Sequence, residues 1–146
     1  MNRLRFLVVL GACALAAPGV SHAQGWSPPS RMPDMPRMAD LQGSWQGAVG
    51  GWAGQMAQVS STSAGEIRAA GETTPGSDRA KLVRFTAGVF PVATWSDRNG
   101  DGRCDMVEIF RQGSRVYQLI DADYDGNPNV LRVYSPSGEL LRDERL

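Results

Sequence analysis

Histidine and cysteine are almost absent from this chain of 146 residues, which has one histidine and two cysteines. Both His22 and Cys13 lie in residues 1–23, where a basic head, an apolar run and a small-x-small site before residue 24 are typical of a cleaved secretory signal peptide. Its removal leaves no histidine. The mature chain is therefore expected to lack Ser-His-Asp and Cys-His nucleophilic sites and zinc sites that use histidine.

The remaining cysteine, Cys104, has no partner for an intrachain disulfide. A free thiol can join two chains, or it can serve as a small apolar side chain that fills the interior of a loop. Because unpaired cysteine behaves as a small hydrophobe, we expect Cys104 to be a buried plug.

Positive charge is also not in excess. Loss of Arg3 and Arg5 with the signal peptide leaves 13 basic residues against 15 acidic ones. This balance predicts no nucleic-acid partner, and the apolar run at the N-terminus is read as a signal and not as a membrane span. The expected location is the periplasm or the outside of the cell.

What the chain does contain is a twelve-residue segment, 97–108, that fits the pattern D-x-[DN]-x-[DN]-G-x5-E at every specified position. Gly102 occupies the sixth position, where the backbone turns sharply. The oxygen ligands of such a loop would be Asp97, Asn99, Asp101, the carbonyl of Arg103, Asp105 and Glu108. The segment predicts a calcium site, and the alternative is a turn rich in Asp, Asn and Gly.

This segment resembles the loop of the EF-hand family, but its flanks differ from those of that family. Residues 89–95 are β-branched and aromatic and predict a strand, where an EF-hand has a helix. The segment is therefore similar to the Asp/Gly-rich calcium repeats of secreted bacterial proteins. In a strand setting Asp105 can ligate directly, which leaves Glu108 as a strand residue.

A second segment, 121–132, matches the first at positions 1, 3, 5 and 6 after a step of 24 residues. It has asparagine at position 9 and Arg132 at position 12. We therefore expect a weaker calcium site, and the alternative is a turn that carries acidic side chains without binding an ion. Its candidate ligands are Asp121, Asp123, Asp125, Asn127 and Asn129.

The fold class predicted from the pattern is all-β. Gly88, Gly113 and Gly138 recur every 25 residues, and each follows a short run with an aromatic residue, which indicates an antiparallel meander of hairpins. The two acidic segments would then lie at one end of the sheet. The predicted core residues are Trp45, Trp52, Phe85, Phe90, Trp95, Ile109, Tyr117, Leu119 and Val133.

We expect three regions: a signal peptide (1–23), a disordered leader rich in proline and methionine (24–40), and a β domain (41–146). Residues 41–60 fit either a helix or a hairpin, and their glycines favour the hairpin. Three methionines of the leader recur at every third residue. Such a cluster would suit Cu(I), although unselected composition is the preferred interpretation.

These features predict a secreted or periplasmic calcium-binding protein in which calcium orders the inter-strand loops. One alternative is a cell-envelope module that binds a protein partner and uses calcium only structurally. Another is a hydrolase built on two carboxylates, but the acids cluster in loops and no catalytic pair can be singled out. We therefore expect no enzyme activity.

Overall fold

Seven strands form one antiparallel sheet in which every strand pairs with its neighbours in the sequence. The structure is a computed structural model, and it describes residues 28–42 and 67–146. The predicted all-β meander is confirmed. The strands are β1 (Ile67–Thr73), β2 (Ala80–Ala87), β3 (Phe90–Ser96), β4 (Met106–Arg111), β5 (Ser114–Ile120), β6 (Val130–Tyr134) and β7 (Leu140–Arg145).

The signal peptide and most of the segment that fits either a helix or a hairpin lie outside the described residues, as do Trp45 and Trp52. Within the part of the chain that the structure describes, the one helix is a single 3-10 turn, Met38–Leu41. No helix there is long and apolar enough to cross a membrane.

The six connections alternate between the two ends of the sheet. Gly88, Gly113 and Gly138 lie in the connections at one end, with φ angles of 62°, 82° and 87° that glycine adopts without steric cost. The opposite end carries the β1–β2 loop (74–79), the β3–β4 loop (97–105) and the β5–β6 loop (121–129). Both acidic segments thus lie at one end, as a meander requires.

One face of the sheet forms the core, where the rings of Phe85 and Trp95 lie 4.8 Å apart between their centroids. Alternation along the strands buries Ile109 and Leu119 on this face, as predicted. The prediction is wrong for Phe90, whose residue surface is 59% exposed. Phe90 begins β3 directly after a turn, at the opposite end of the sheet from the three longer loops.

Residues 28–42, which we call the strap, correct the prediction of a disordered leader for residues 28–40. The strap crosses the three loops at one end of the sheet. The N–H groups of its methionines donate to one carbonyl in each loop. These pairs are Met32 to Gly126 at 2.9 Å, Met35 to Gly102 at 2.9 Å and Met38 to Asp78 at 2.8 Å.

The spacing of the methionines has a geometric cause. Three residues of extended, proline-rich chain span about 9.3 Å. Loops at the same end of a meander are two strands apart, or about 9.6 Å. Each third residue of the strap therefore meets the next loop. Met32 and Met35 are 3% and 1% exposed and belong to the core, so apolar packing accounts for these side chains without a copper ion.

Candidate metal site in the acidic loops

Three carboxylates converge in the β3–β4 loop. Asp97, Asp101 and Asp105 each offer an oxygen within 4.8 Å of the oxygens of the other two. Asp97 and Asp105 are 5% and 1% exposed, whereas Asp101 is open to solvent. The cluster is therefore a half-enclosed set of acidic oxygens at the surface of the sheet end.

Asp97, at the start of the loop, organises its backbone. Its Oδ1 accepts a hydrogen bond from Gly100 N–H at 2.6 Å, and its Oδ2 accepts one from Gly102 N–H at 2.9 Å. The two glycines have φ angles of 82° and 86°, a left-handed conformation that costs a residue with a Cβ about 1–2 kcal/mol. The glycines at positions 4 and 6 thus let the chain wrap around the first carboxylate.

Asp105 closes the loop from its other end. Its Oδ2 accepts hydrogen bonds from Arg98 N–H at 2.6 Å and from Asn99 N–H at 3.1 Å. Its Oδ1 is buried and has no hydrogen-bond partner among the described residues. Burial raises the pKa of Asp105, the two N–H groups oppose that rise, and the charges of Asp97 and Asp101 add to it.

Between these two residues the loop uses its side chains for local turns. Asn99 Oδ1 accepts from Asp101 N–H at 3.0 Å, and Asp101 Oδ1 accepts from Arg103 N–H at 2.8 Å. Asn99 Nδ2 donates to Asp101 Oδ2 at 3.1 Å. These contacts fix the turn around Asp101, whose carboxylate lies with those of Asp97 and Asp105.

No salt bridge joins a lysine or arginine to these three acids within the described residues. The salt bridges there join arginines to other acids, which are Glu72, Asp78, Glu108, Asp143 and Glu144. Buried carboxylates are normally paired with a positive group or coordinated to a metal, because an isolated buried charge is costly. The chemistry of the loop therefore calls for a cation from solution.

Glu108, a predicted ligand, is not brought to this cluster. It lies inside β4, and its carboxylate accepts hydrogen bonds from Thr94 Oγ1 at 2.9 Å, Arg115 Nη1 at 2.7 Å and Gln118 Nε2 at 3.1 Å. Because side chains alternate along a strand, Glu108 points to the face opposite the core residue Ile109. This corrects its assignment as a ligand and leaves Asp105 as the last acid of the site.

The β5–β6 loop has a similar cluster, formed by Asp121, Asp123 and Asp125. Asp121 is buried and accepts from Tyr124 N–H at 2.8 Å and from Gly126 N–H at 2.7 Å. Tyr124 and Gly126 have positive φ angles of 63° and 92°. The bonds and conformations at positions 1, 4 and 6 thus match those of the first loop, although Asp123 and Asp125 are exposed.

The asparagines of the second loop form hydrogen bonds within that loop. Asn129 Oδ1 accepts from Ala122 N–H at 3.0 Å. Asn127 donates to Asp125 from its side chain and from its backbone N–H, and these two bonds lower the pKa of Asp125.

Arg132, at position 12 of the second segment, lies on the same outer face as Glu108. It contacts Asp143 through Nε at 3.1 Å and Gln118 through Nη1 at 3.5 Å. Position 12 therefore faces away from the carboxylates in both loops, and the contrast between Glu108 and Arg132 has no direct bearing on an ion.

Cys104, at position 8 of the first loop, is buried as the plug interpretation predicts. Its Sγ donates to the carbonyl of Met106 at 3.1 Å. Burial raises the pKa of the thiol far above its ordinary range, so it is neutral and is not a thiolate ligand.

Sequence reasoning did not find the contact between the strap and the two acidic loops. The available signal was the recurrence of methionine at every third residue, each time next to proline or alanine. Comparison of the chain with protein-family models, curated proteins and solved structures found no match. The chemistry of the loops is therefore the basis for any functional conclusion.

Proposed function

We propose that this protein binds a calcium ion in the β3–β4 loop and uses it to stabilise the loop end of the sheet. One observation carries the proposal: Asp105 Oδ1 is buried without a partner among the described residues, beside two further carboxylates that form no salt bridge there. A bound divalent cation would satisfy this oxygen and remove the repulsion among the three acids.

Calcium suits the donors better than zinc or copper does. The ligands would be Asp97, Asp101 and Asp105, with Asn99 Oδ1 and the Arg103 carbonyl as neutral oxygens. Hard oxygen donors of mixed type favour calcium over zinc or copper, which prefer nitrogen and sulfur. Without Glu108 the protein contributes about five oxygens, so water completes the six to eight positions that calcium takes.

The β5–β6 loop is proposed as a weaker calcium site. It also offers three carboxylates, but only Asp121 is buried. The exposed oxygens of Asp123 and Asp125 are more strongly hydrated before an ion binds. Extracellular modules of this kind bind calcium at about 10⁻⁴ to 10⁻³ M. Such affinities fit a periplasmic or secreted protein, since calcium is abundant outside the cell.

Isothermal calorimetry with calcium on the mature chain tests the proposal when Asp105→Asn is compared with Glu139→Gln. Asparagine at 105 keeps an oxygen that can accept from Arg98 and Asn99 and removes only the charge. We expect Asp105→Asn to weaken the tighter site at least tenfold. Glu139 is an exposed acid in the β6–β7 connection at the opposite end of the sheet, and its variant should bind as the wild type does.

Heat from two unequal sites, with the tighter one lost in Asp105→Asn, is the expected result. If the wild type takes up no calcium at millimolar concentration, or if Asp105→Asn binds with unchanged affinity, the assignment of the β3–β4 loop is wrong.

A further inference from the structure

We propose that the strap is a positioning element of the calcium site in the β3–β4 loop and that bound calcium in turn holds the strap on the loops. This inference rests on the proposed function. It concerns a segment that contributes no carboxylate to the site and that acts through the backbone of Arg103.

Arg103 lies opposite Asp34 in an isolated antiparallel bridge between the loop and the strap. Two hydrogen bonds flank the pair: Met35 N–H donates to the Gly102 carbonyl at 2.9 Å, and Cys104 N–H donates to the Pro33 carbonyl at 3.0 Å. The strap therefore fixes the backbone on both sides of Arg103.

In such a pair the N–H and C=O groups of the central residue point away from the partner strand. For Arg103 this side is the interior of the loop, where its N–H donates to Asp101 Oδ1 at 2.8 Å. Its carbonyl is directed to the same side by the extended backbone. In a calcium loop of this pattern the backbone carbonyl at position 7 is a ligand. The strap therefore orients the Arg103 carbonyl toward the proposed ion.

Arg79 strengthens the same contact from the β1–β2 loop. Its Nη1 donates to the Met35 carbonyl at 3.0 Å, and its side chain lies across Gly102, where a Cβ would meet Arg79 Cδ at 3.0 Å. Met35 is thus held through both its N–H and its carbonyl, and its side chain is buried.

The other two loops lack this combination. At the β5–β6 loop the strap makes one such bond, from Met32 to Gly126, because position 8 is Pro128, which has no N–H. At the β1–β2 loop both bonds are present, from Met38 to Asp78 and from Ala80 to Pro36. Within the described residues, however, that loop has no cluster of acids. Coupling between strap and ion is therefore expected to be strongest at the β3–β4 loop.

Coupling between two binding events is reciprocal: the factor by which a docked strap raises calcium affinity equals the factor by which calcium favours docking. One backbone hydrogen bond changes such an equilibrium by about fivefold. We therefore expect saturating calcium to slow amide hydrogen exchange at Met35 about fivefold, as measured by NMR on the whole mature chain. The effect should be smaller at Met32.

Met35→Ala tests the coupling in the opposite direction. It removes buried side-chain volume from the strap without altering any acid, and calcium affinity at the tighter site should fall by up to about fivefold, the factor for loss of one backbone hydrogen bond, while the weaker site changes less. Val133→Ala is the control, because it removes half-buried apolar volume that packs against the core from β6, outside the strap and the acidic loops. This variant should bind calcium as the wild type does.

The outcomes separate the two proposals. Calcium binding with Met35 exchange that does not change, and with normal affinity in Met35→Ala, refutes the role of the strap and leaves the calcium site intact. Equal losses of affinity in Met35→Ala and Val133→Ala would show a general effect of stability and would also refute it. Absence of calcium binding in the wild type removes both proposals.

Discussion

Gly102 joins three features of the molecule, because its N–H holds Asp97, its carbonyl accepts from the strap and its α-carbon lies under Arg79. Gly102→Ala is expected to destabilise the protein by two separable effects. At a φ of 86° an alanine pays about 1–2 kcal/mol for its left-handed conformation. The new Cβ would also lie 3.0 Å from Arg79 Cδ and force that side chain to move.

The second effect has a structural magnitude of its own. A shift of Arg79 weakens its hydrogen bond to the Met35 carbonyl, and complete loss of this bond would add about 1 kcal/mol or more because the donor is charged. Gly138→Ala separates the two effects, since Gly138 has a φ of 87° and no atom within 4 Å of the added Cβ. We expect a loss of about 1–2 kcal/mol for Gly138→Ala and about 2–3 kcal/mol for Gly102→Ala.

Urea unfolding in the presence of a chelator measures both variants without a contribution from calcium. With an m-value of about 1–3 kcal/mol per molar, the midpoint should fall by about 1 M for Gly138→Ala and further for Gly102→Ala. Equal midpoints for the two variants would show that Arg79 moves aside at no cost and that its displacement adds nothing to the destabilisation. An unchanged midpoint for Gly138→Ala would refute the conformational effect.

Two further predictions concern Cys104 and Asp105. Because Cys104 is buried and its pKa is raised, a thiol reagent should modify the folded mature chain only at the rate of unfolding. Calcium that stabilises the folded chain should therefore slow this reaction. Rapid labelling that calcium does not affect would contradict the interpretation of Cys104 as a buried plug. Because the pKa of Asp105 is higher in the folded than in the unfolded chain, its contribution to calcium-free stability is lost as pH rises above the ordinary carboxyl pKa of about 4 and through the raised pKa of the folded chain. Urea unfolding with chelator should show this loss in the wild type and not in Asp105→Asn, and parallel pH profiles would refute it.

The sheet and the acidic loops were accessible to sequence reasoning because each depends on local patterns. Glycines at the hairpin turns and alternation along the strands are set by neighbouring residues, and they predicted the meander. The first carboxylate of each loop accepts hydrogen bonds from N–H groups three and five residues further along. The arrangement of each loop is therefore also determined by residues close in the sequence.

The strap and Glu108 were mispredicted because both depend on distant contacts. Residues 28–40 have neither the period of a helix nor that of a strand, and their period of three becomes meaningful only beside loops two strands apart. Glu108 fits the loop pattern by spacing, but β4 has already begun at Met106 and turns Glu108 toward Arg115. In both cases tertiary contacts decided between alternatives that the local sequence left open.

The spacing of the strap methionines matches the spacing of the loops, and this match ties the length of the strap to the number of loops. Along the strap one loop is met every three residues, whereas along the sheet the acidic loops recur every 24 residues. A protein with one more hairpin unit would need three more residues in a segment far from the insertion, or its last loop would have no strap to cover it. The length of the strap therefore fixes how many loops one copy of this fold can bind together.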